Sequence, residues 1–161
     1  MNRPELYQKT IDVLLDAYNN GKLVHGNCSC CAVGNICKES SNKLDISNSL
    51  WSFLFVTTSE EGFYKPTRAK SYESFEMELV LSLINDTGYT VEELTKIEWA
   101  FETAIPFEKR EYYTKVKTKQ GQYMGLCAVL EVLKQIHEKE EIVEAKERLD
   151  AIYSNFNLVE V

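Results

Sequence analysis

Chain breakers are scarce in this sequence, with seven Gly and three Pro among 161 residues. So small a share excludes a linker-dominated or collagen-like chain. Long apolar runs are missing as well. The longest purely apolar run near the middle, Phe53 to Val56, falls far short of the roughly 20 residues that a membrane-crossing helix needs. Near the N-terminus, Arg3, Pro4 and Glu5 and then Asp12 and Asp16 interrupt the chain, whereas a secretory signal requires an unbroken apolar core. These absences lead to the expectation of a cytoplasmic protein without a membrane partner. Positive charge is also in deficit: 18 Lys and Arg stand against 25 Asp and Glu, a formal net charge of −7. A surface of that sign repels nucleic acid and anionic membranes as a whole.

What is present is the make-up of a globular domain. Hydrophobic residues are 44% and charged residues 27% of the chain, enough apolar material to bury a core, and the length fits one domain over residues 1–161. Apolar residues recur at three- and four-residue steps, the period of one helix face. Leu6, Tyr7, Ile11, Leu14, Leu15 and Tyr18 form the first stripe, with Asn20-Gly21 as its stop. Tyr72, Phe75, Leu79, Leu83 and Ile84 form the second, ending at Asn85-Asp86-Thr87-Gly88. Thr90 and Glu93 have the spacing of a capping box, in which each side chain bonds the other's backbone N–H. They open a third stripe through Leu94, Ile97, Phe101, Ala104 and Ile105. Gly121 opens a fourth through Tyr123, Leu126, Cys127, Leu130, Leu133 and Ile136, and a fifth runs through Ile142, Leu149, Ile152, Tyr153 and Phe156. The predicted fold is a mainly α single-domain bundle of about five to six helices, with room for a small two-stranded β element.

The connections are less legible. Asn27 or Ser29 is expected to cap a short helix through Cys31, Ala32 and Val33. Lys38 to Asn48 and Ser59 to Lys70 read as surface loops. Leu50 to Thr58 is too short for periodicity to separate helix from strand. Within 106–120, Tyr113, Thr114, Val116 and Thr118 are β-prone, and 50–58 is the natural partner. Trp99 lies off the third stripe and is expected to pack on a second face, with a partner contact as the alternative.

Three features carry chemistry. Four of the five cysteines, Cys28, Cys30, Cys31 and Cys37, fall within ten positions. In a reducing cytosol that is not a disulfide framework. Cys28 and Cys31 have CxxC spacing, and His25 and Cys37 flank them. Thiolate and neutral imidazole suit tetrahedral zinc, so His25, Cys28, Cys31 and Cys37 are the candidate set for a structural zinc ion. The plain alternative is that the cysteines are small buried apolar residues. A third reading is thiol chemistry: Cys28 or Cys30 at a helix N-terminus would be acidified there, with His25 as base and Asn27 or Asn35 orienting it.

The second feature is a basic strip, Lys109, Arg110, Lys115, Lys117 and Lys119 against Glu111 alone. On a strand, Lys115, Lys117 and Lys119 would share one face about 7 Å apart. They are a candidate anion-binding set for phosphate or nucleic acid, with a solvated edge as the plain alternative. The third feature is negative. Residues 72–105 have the outline of a helix-turn-helix, but the second helix carries Glu92, Glu93, Glu98 and Glu102 against Lys96. A recognition helix needs donors for bases and phosphates, which excludes that reading. A protein partner or a second copy of the chain remains open.

The segments HGNCSCCAVGN, GYTVEELTKIEWAFE and GLCAVLEVLKQIHE resemble small proteins of Bacteroidetes genomes and their bacteriophages, across most of the chain. The resemblance implies a cytosolic protein of bacterial or phage origin. It transfers no activity and no catalytic residue. The leading expectation is an accessory protein that acts by binding, its His/Cys cluster holding zinc. The alternatives are a thiol-dependent enzyme at the same cluster and a phosphate- or nucleic-acid-binding module on the basic strip.

Overall fold

The first stripe folds as its period predicts. In the computed structural model, which describes residues 3–25, 29–44, 49–58, 64–68, 76–104 and 118–159, α1 runs over Arg3–Asn19 and buries Leu6, Thr10, Ile11, Leu14, Leu15, Ala17 and Tyr18. Gly21 follows at φ +70°, a conformation that costs glycine little because it has no Cβ. Two short helices come next, α2 (Ala32–Ile36) and α3 (Lys38–Ser41), and then a 3-10 turn over Asn42–Leu44. A second 3-10 turn, Leu50–Phe53, leads into strand β1 (Leu54–Thr58), which pairs antiparallel with β2 (Tyr64–Arg68). The other helices among the described residues are α4 (Met77–Asn85), α5 (Val91–Thr103), α6 (Lys119–Ile136) and α7 (Val143–Val159). The architecture is mainly α. No helix among the described residues is long and apolar enough to cross a membrane.

Core formation follows the stripes. Leu94, Ile97 and Phe101 of α5 face Leu126, Val129, Leu130 and Leu133 of α6 in one buried cluster, joined by Leu6 to Tyr18 of α1 and by Ala145 and Leu149 of α7. Helices α5 and α6 pack most extensively, and α2 is wedged against α1 and α5. The capping box is as predicted: Glu93 N–H donates to Thr90 Oγ1 at 3.1 Å and Thr90 N–H to Glu93 Oε1 at 3.0 Å. Gly88 turns the chain between α4 and α5 at φ +91°. That conformation favours glycine, and a Cβ there would also meet Leu6 Cδ2 at 2.7 Å and displace that side chain.

Five expectations are corrected. The cap of α2 is Cys31, whose Sγ accepts from Gly34 N–H at 3.3 Å, rather than Asn27 or Ser29. Lys38–Leu44 is helical rather than a loop, with Ser40 and Ser41 buried. Ser41 Oγ donates to Cys37 O at 2.6 Å and accepts from Leu50 N–H at 2.7 Å, so its burial is matched by hydrogen bonds. The 59–70 loop contains β2, in which Pro66 stands opposite Val56. A two-stranded ribbon has an open edge on each side, where a residue without an N–H is tolerated. The partner found for 50–58 is therefore 64–68, while 105–117 lies outside the described residues. Finally, Trp99 is 63% exposed rather than packed.

Candidate functional site

The His/Cys cluster divides between the core and the undescribed residues. Cys28 lies outside the described residues. Cys31 and Cys37 are fully buried, and Cys30 is partly exposed. Burial, with a smaller contribution from the Glu98 carboxylate, pushes the Cys37 thiol up to about 12. Such a thiol keeps its proton at neutral pH and is a poor nucleophile. His25 is buried with its ring stacked on Phe101, centroids 3.9 Å apart and planes 11° from parallel. Its Nε2 lies 3.0 Å from the Phe101 carbonyl, which can only accept, so Nε2 carries the hydrogen. A metal would have to bind through Nδ1. Asn35 does not orient His25. Its amide donates to the carbonyls of Lys22, Cys30 and Cys31 at 3.2, 3.0 and 2.9 Å, clamping the backbone at Lys22 and Cys30 onto α2. Among the described residues no three His, Cys, Asp or Glu side chains gather as a metal site.

This burial orders the thiols by reactivity. A short iodoacetamide pulse on folded protein is expected to label Cys30 and leave Cys31 and Cys37 intact until urea is added. Peptide mapping checks it, and rapid label on Cys37 in the folded protein contradicts the packing described here.

The basic strip is also redistributed. Lys115 and Lys117 lie outside the described residues. Lys119 is the first residue of α6, not part of a strand. Its ammonium donates to Tyr18 O at 3.2 Å and sits 4.3 Å from the Phe156 ring centroid, while Tyr18 Oη donates to Lys119 O at 2.7 Å. These contacts tie the start of α6 to the end of α1 and to α7.

A groove that no motif announced lies on the other side of α1. It encloses about 550 Å³ between α1, the α2–α3 segment and the turn after α4. Leu6, Thr10, Val13 and Ala17 follow one another at helical spacing along its α1 wall, and Ile36 faces them. Two ion pairs bridge its rim: Lys9 with Glu39, and Lys43 with Asp86 at 3.2 Å. The Lys9 ammonium holds the Glu39 carboxyl below its ordinary range.

Behind the α1 wall runs a polar relay in which Thr10 and Tyr89 are buried and His137 is half-buried. Thr10 Oγ1 donates its one proton to Leu6 O at 2.8 Å, so at 2.7 Å the Tyr89 phenol must donate to Thr10. Tyr89 Oη then accepts from His137 Nε2–H at 2.8 Å. Burial pushes the Tyr89 phenol up to about 12. Burial and the nearby Arg3 and Lys139 charges lower His137 below its usual value, against a smaller opposing effect of Glu93. The three residues are scattered in sequence, and only hydrophobic spacing around them was legible.

Comparison with protein-family models, curated proteins and solved structures finds no match.

Proposed function

We propose that this protein works by binding, and that its ligand seat is the groove between α1 and the α2–α3 segment. The observation that carries this reading is the groove's make-up. Its volume of about 550 Å³ falls in the roughly 300–1,000 Å³ range of small-ligand sites. Leu6, Val13, Ala17 and Ile36 give it an apolar side, set among polar residues that include the buried Thr10, Asn35 and Ser40. Among the described residues its lining includes no His, Cys or Tyr, and the Thr10 hydroxyl is already committed to Leu6 O and Tyr89. The lining thus offers a surface for recognition without a paired nucleophile and base. The free thiols of Cys30, Cys31, Cys37 and Cys127 support a cytoplasmic setting, where thiols stay reduced.

The neutral fluorophore N-phenyl-1-naphthylamine, which brightens in apolar surroundings, tests the seat. Wild-type protein is expected to bind it saturably with one site. Val13→Trp, which fills the groove from a half-buried helix position, should weaken binding at least tenfold with the circular dichroism melt unchanged. Equal binding by the variant overturns the reading.

A further inference from the structure

The groove's charges are not evenly spent. Its lining carries four lysines, Lys9, Lys22, Lys38 and Lys43, against Asp16, Glu39 and Asp86. Glu39 and Asp86 occupy Lys9 and Lys43. Among the described residues, Lys22 and Lys38 have no acidic partner, and both are exposed. Both adjoin Asn35 in the lining. The Asn35 amide holds the Lys22 carbonyl at 3.2 Å, and Lys38 follows Asn35 by three residues at the start of α3. Among the described lining residues, Asp16, near the C-terminal end of α1, is the acid left to oppose them. That part of the lining therefore keeps a positive excess within a chain of net charge −7. From it the apolar wall runs back along α1 through Ala17 and Val13 to Leu6.

Resting on the binding reading above, we infer that the ligand is a single-chain anionic amphiphile: a carboxylate at Lys22 and Lys38 with a hydrocarbon body along Ala17, Val13 and Leu6. Charge complementarity selects the head. Two exposed cations near one anion give a modest but cumulative attraction, and the apolar wall removes the tail from water. A cationic amphiphile would leave both lysines opposed by like charge. A compact anion such as inorganic phosphate would leave the apolar wall unused.

Displacement of N-phenyl-1-naphthylamine by dodecanoate and by dodecyltrimethylammonium, both below micelle-forming concentrations, separates these ideas. Dodecanoate should displace the dye at roughly tenfold lower concentration. Each CH₂ added from decanoate upward should tighten binding about fourfold until the groove is filled. The Lys22→Gln/Lys38→Gln double variant should abolish the preference for dodecanoate over dodecyltrimethylammonium with the circular dichroism melt unchanged. Lys96→Gln, outside the groove, should change neither. Dye binding without a head-group preference overturns the anionic ligand and leaves the groove as a seat. Absence of dye binding, or binding that survives Val13→Trp, fails the seat itself.

Discussion

Gly125→Val is expected to lower the stability of the fold by about 3 kcal/mol or more, at the upper end of what overpacking costs, and Gly125→Ala by about 1 kcal/mol, at its lower end. Glycine is chosen here for space, since its position is an ordinary helical one inside α6. A Cβ at residue 125 would lie 2.6 and 2.8 Å from Phe101 Cδ2 and Cε2, and 3.0 Å from His25 Nε2. Carbon contacts that short are repulsive, so the ring or a helix must move. Phe101 cannot swing aside, because it is fully buried and sandwiched against the His25 imidazole at 3.9 Å. Shifting it also strains the His25 bond to the Phe101 carbonyl.

Opposing this, alanine gains about 1 kcal/mol of helix propensity over glycine, which is why the alanine variant should be the milder one. Valine adds two more methyl groups and forfeits much of that gain through its stiff χ1. Urea unfolding of both variants measures the losses. Phe101→Leu, which trims the obstructing ring, should recover part of the Gly125→Ala loss when the two are combined. A Gly125→Val protein as stable as wild type would show that α5 and α6 do not approach as described.

Such contacts explain what could and could not be read from sequence. The helices were legible because each buries one face, and burial imposes the period of Leu94, Ile97 and Phe101 or of Leu126, Leu130 and Leu133. The Thr90–Glu93 box was legible because both partners lie within one turn. What escaped depends on long-range partners. Ser40 and Ser41 look like loop residues, yet Ser41 is buried by bonds to Cys37 and Leu50. Pro66 reads as a breaker, and only its place on an open-edged ribbon admits it to a strand. Trp99 is apolar by type but faces outward. The cysteine cluster drew attention by composition, whereas Cys31 and Cys37 sit in the core. The groove had no signature at all, because its walls come from α1, α2, α3 and the turn after α4, segments with no common motif.

Tyr89→Phe is expected to cost about 2–3 kcal/mol although it removes a single oxygen atom. That hydroxyl donates to Thr10 and accepts from His137. Its loss leaves the His137 N–H without an acceptor and Thr10 Oγ1 without a donor, and an abandoned buried polar group costs about 1–3 kcal/mol. Combining Tyr89→Phe with His137→Gln should cost clearly less than the sum of the two single changes, since one bond cannot be lost twice. A Tyr89→Phe loss under about 0.5 kcal/mol, as for an unremarkable surface change, would contradict the relay.

The same relay sets a pH dependence. Because Nε2 already carries a hydrogen, a second proton must enter at Nδ1, which is buried and has no hydrogen-bond partner among the described residues. Arg3 and Lys139 add like charge there, and Glu93 compensates only in part, so the folded pKa lies below the ordinary 6.5. The unfolded chain thus takes up this proton at a higher pH than the fold does. The His137 contribution is complete above about pH 6.5 and is lost as pH falls from there towards the folded value. Between pH 7.5 and 5.5 the urea midpoint of wild type should fall further than that of His137→Gln, which keeps an N–H donor but cannot take up a proton. The carboxylates titrate alike in both proteins, so the difference reports His137, and parallel midpoints would place the charge of the relay elsewhere.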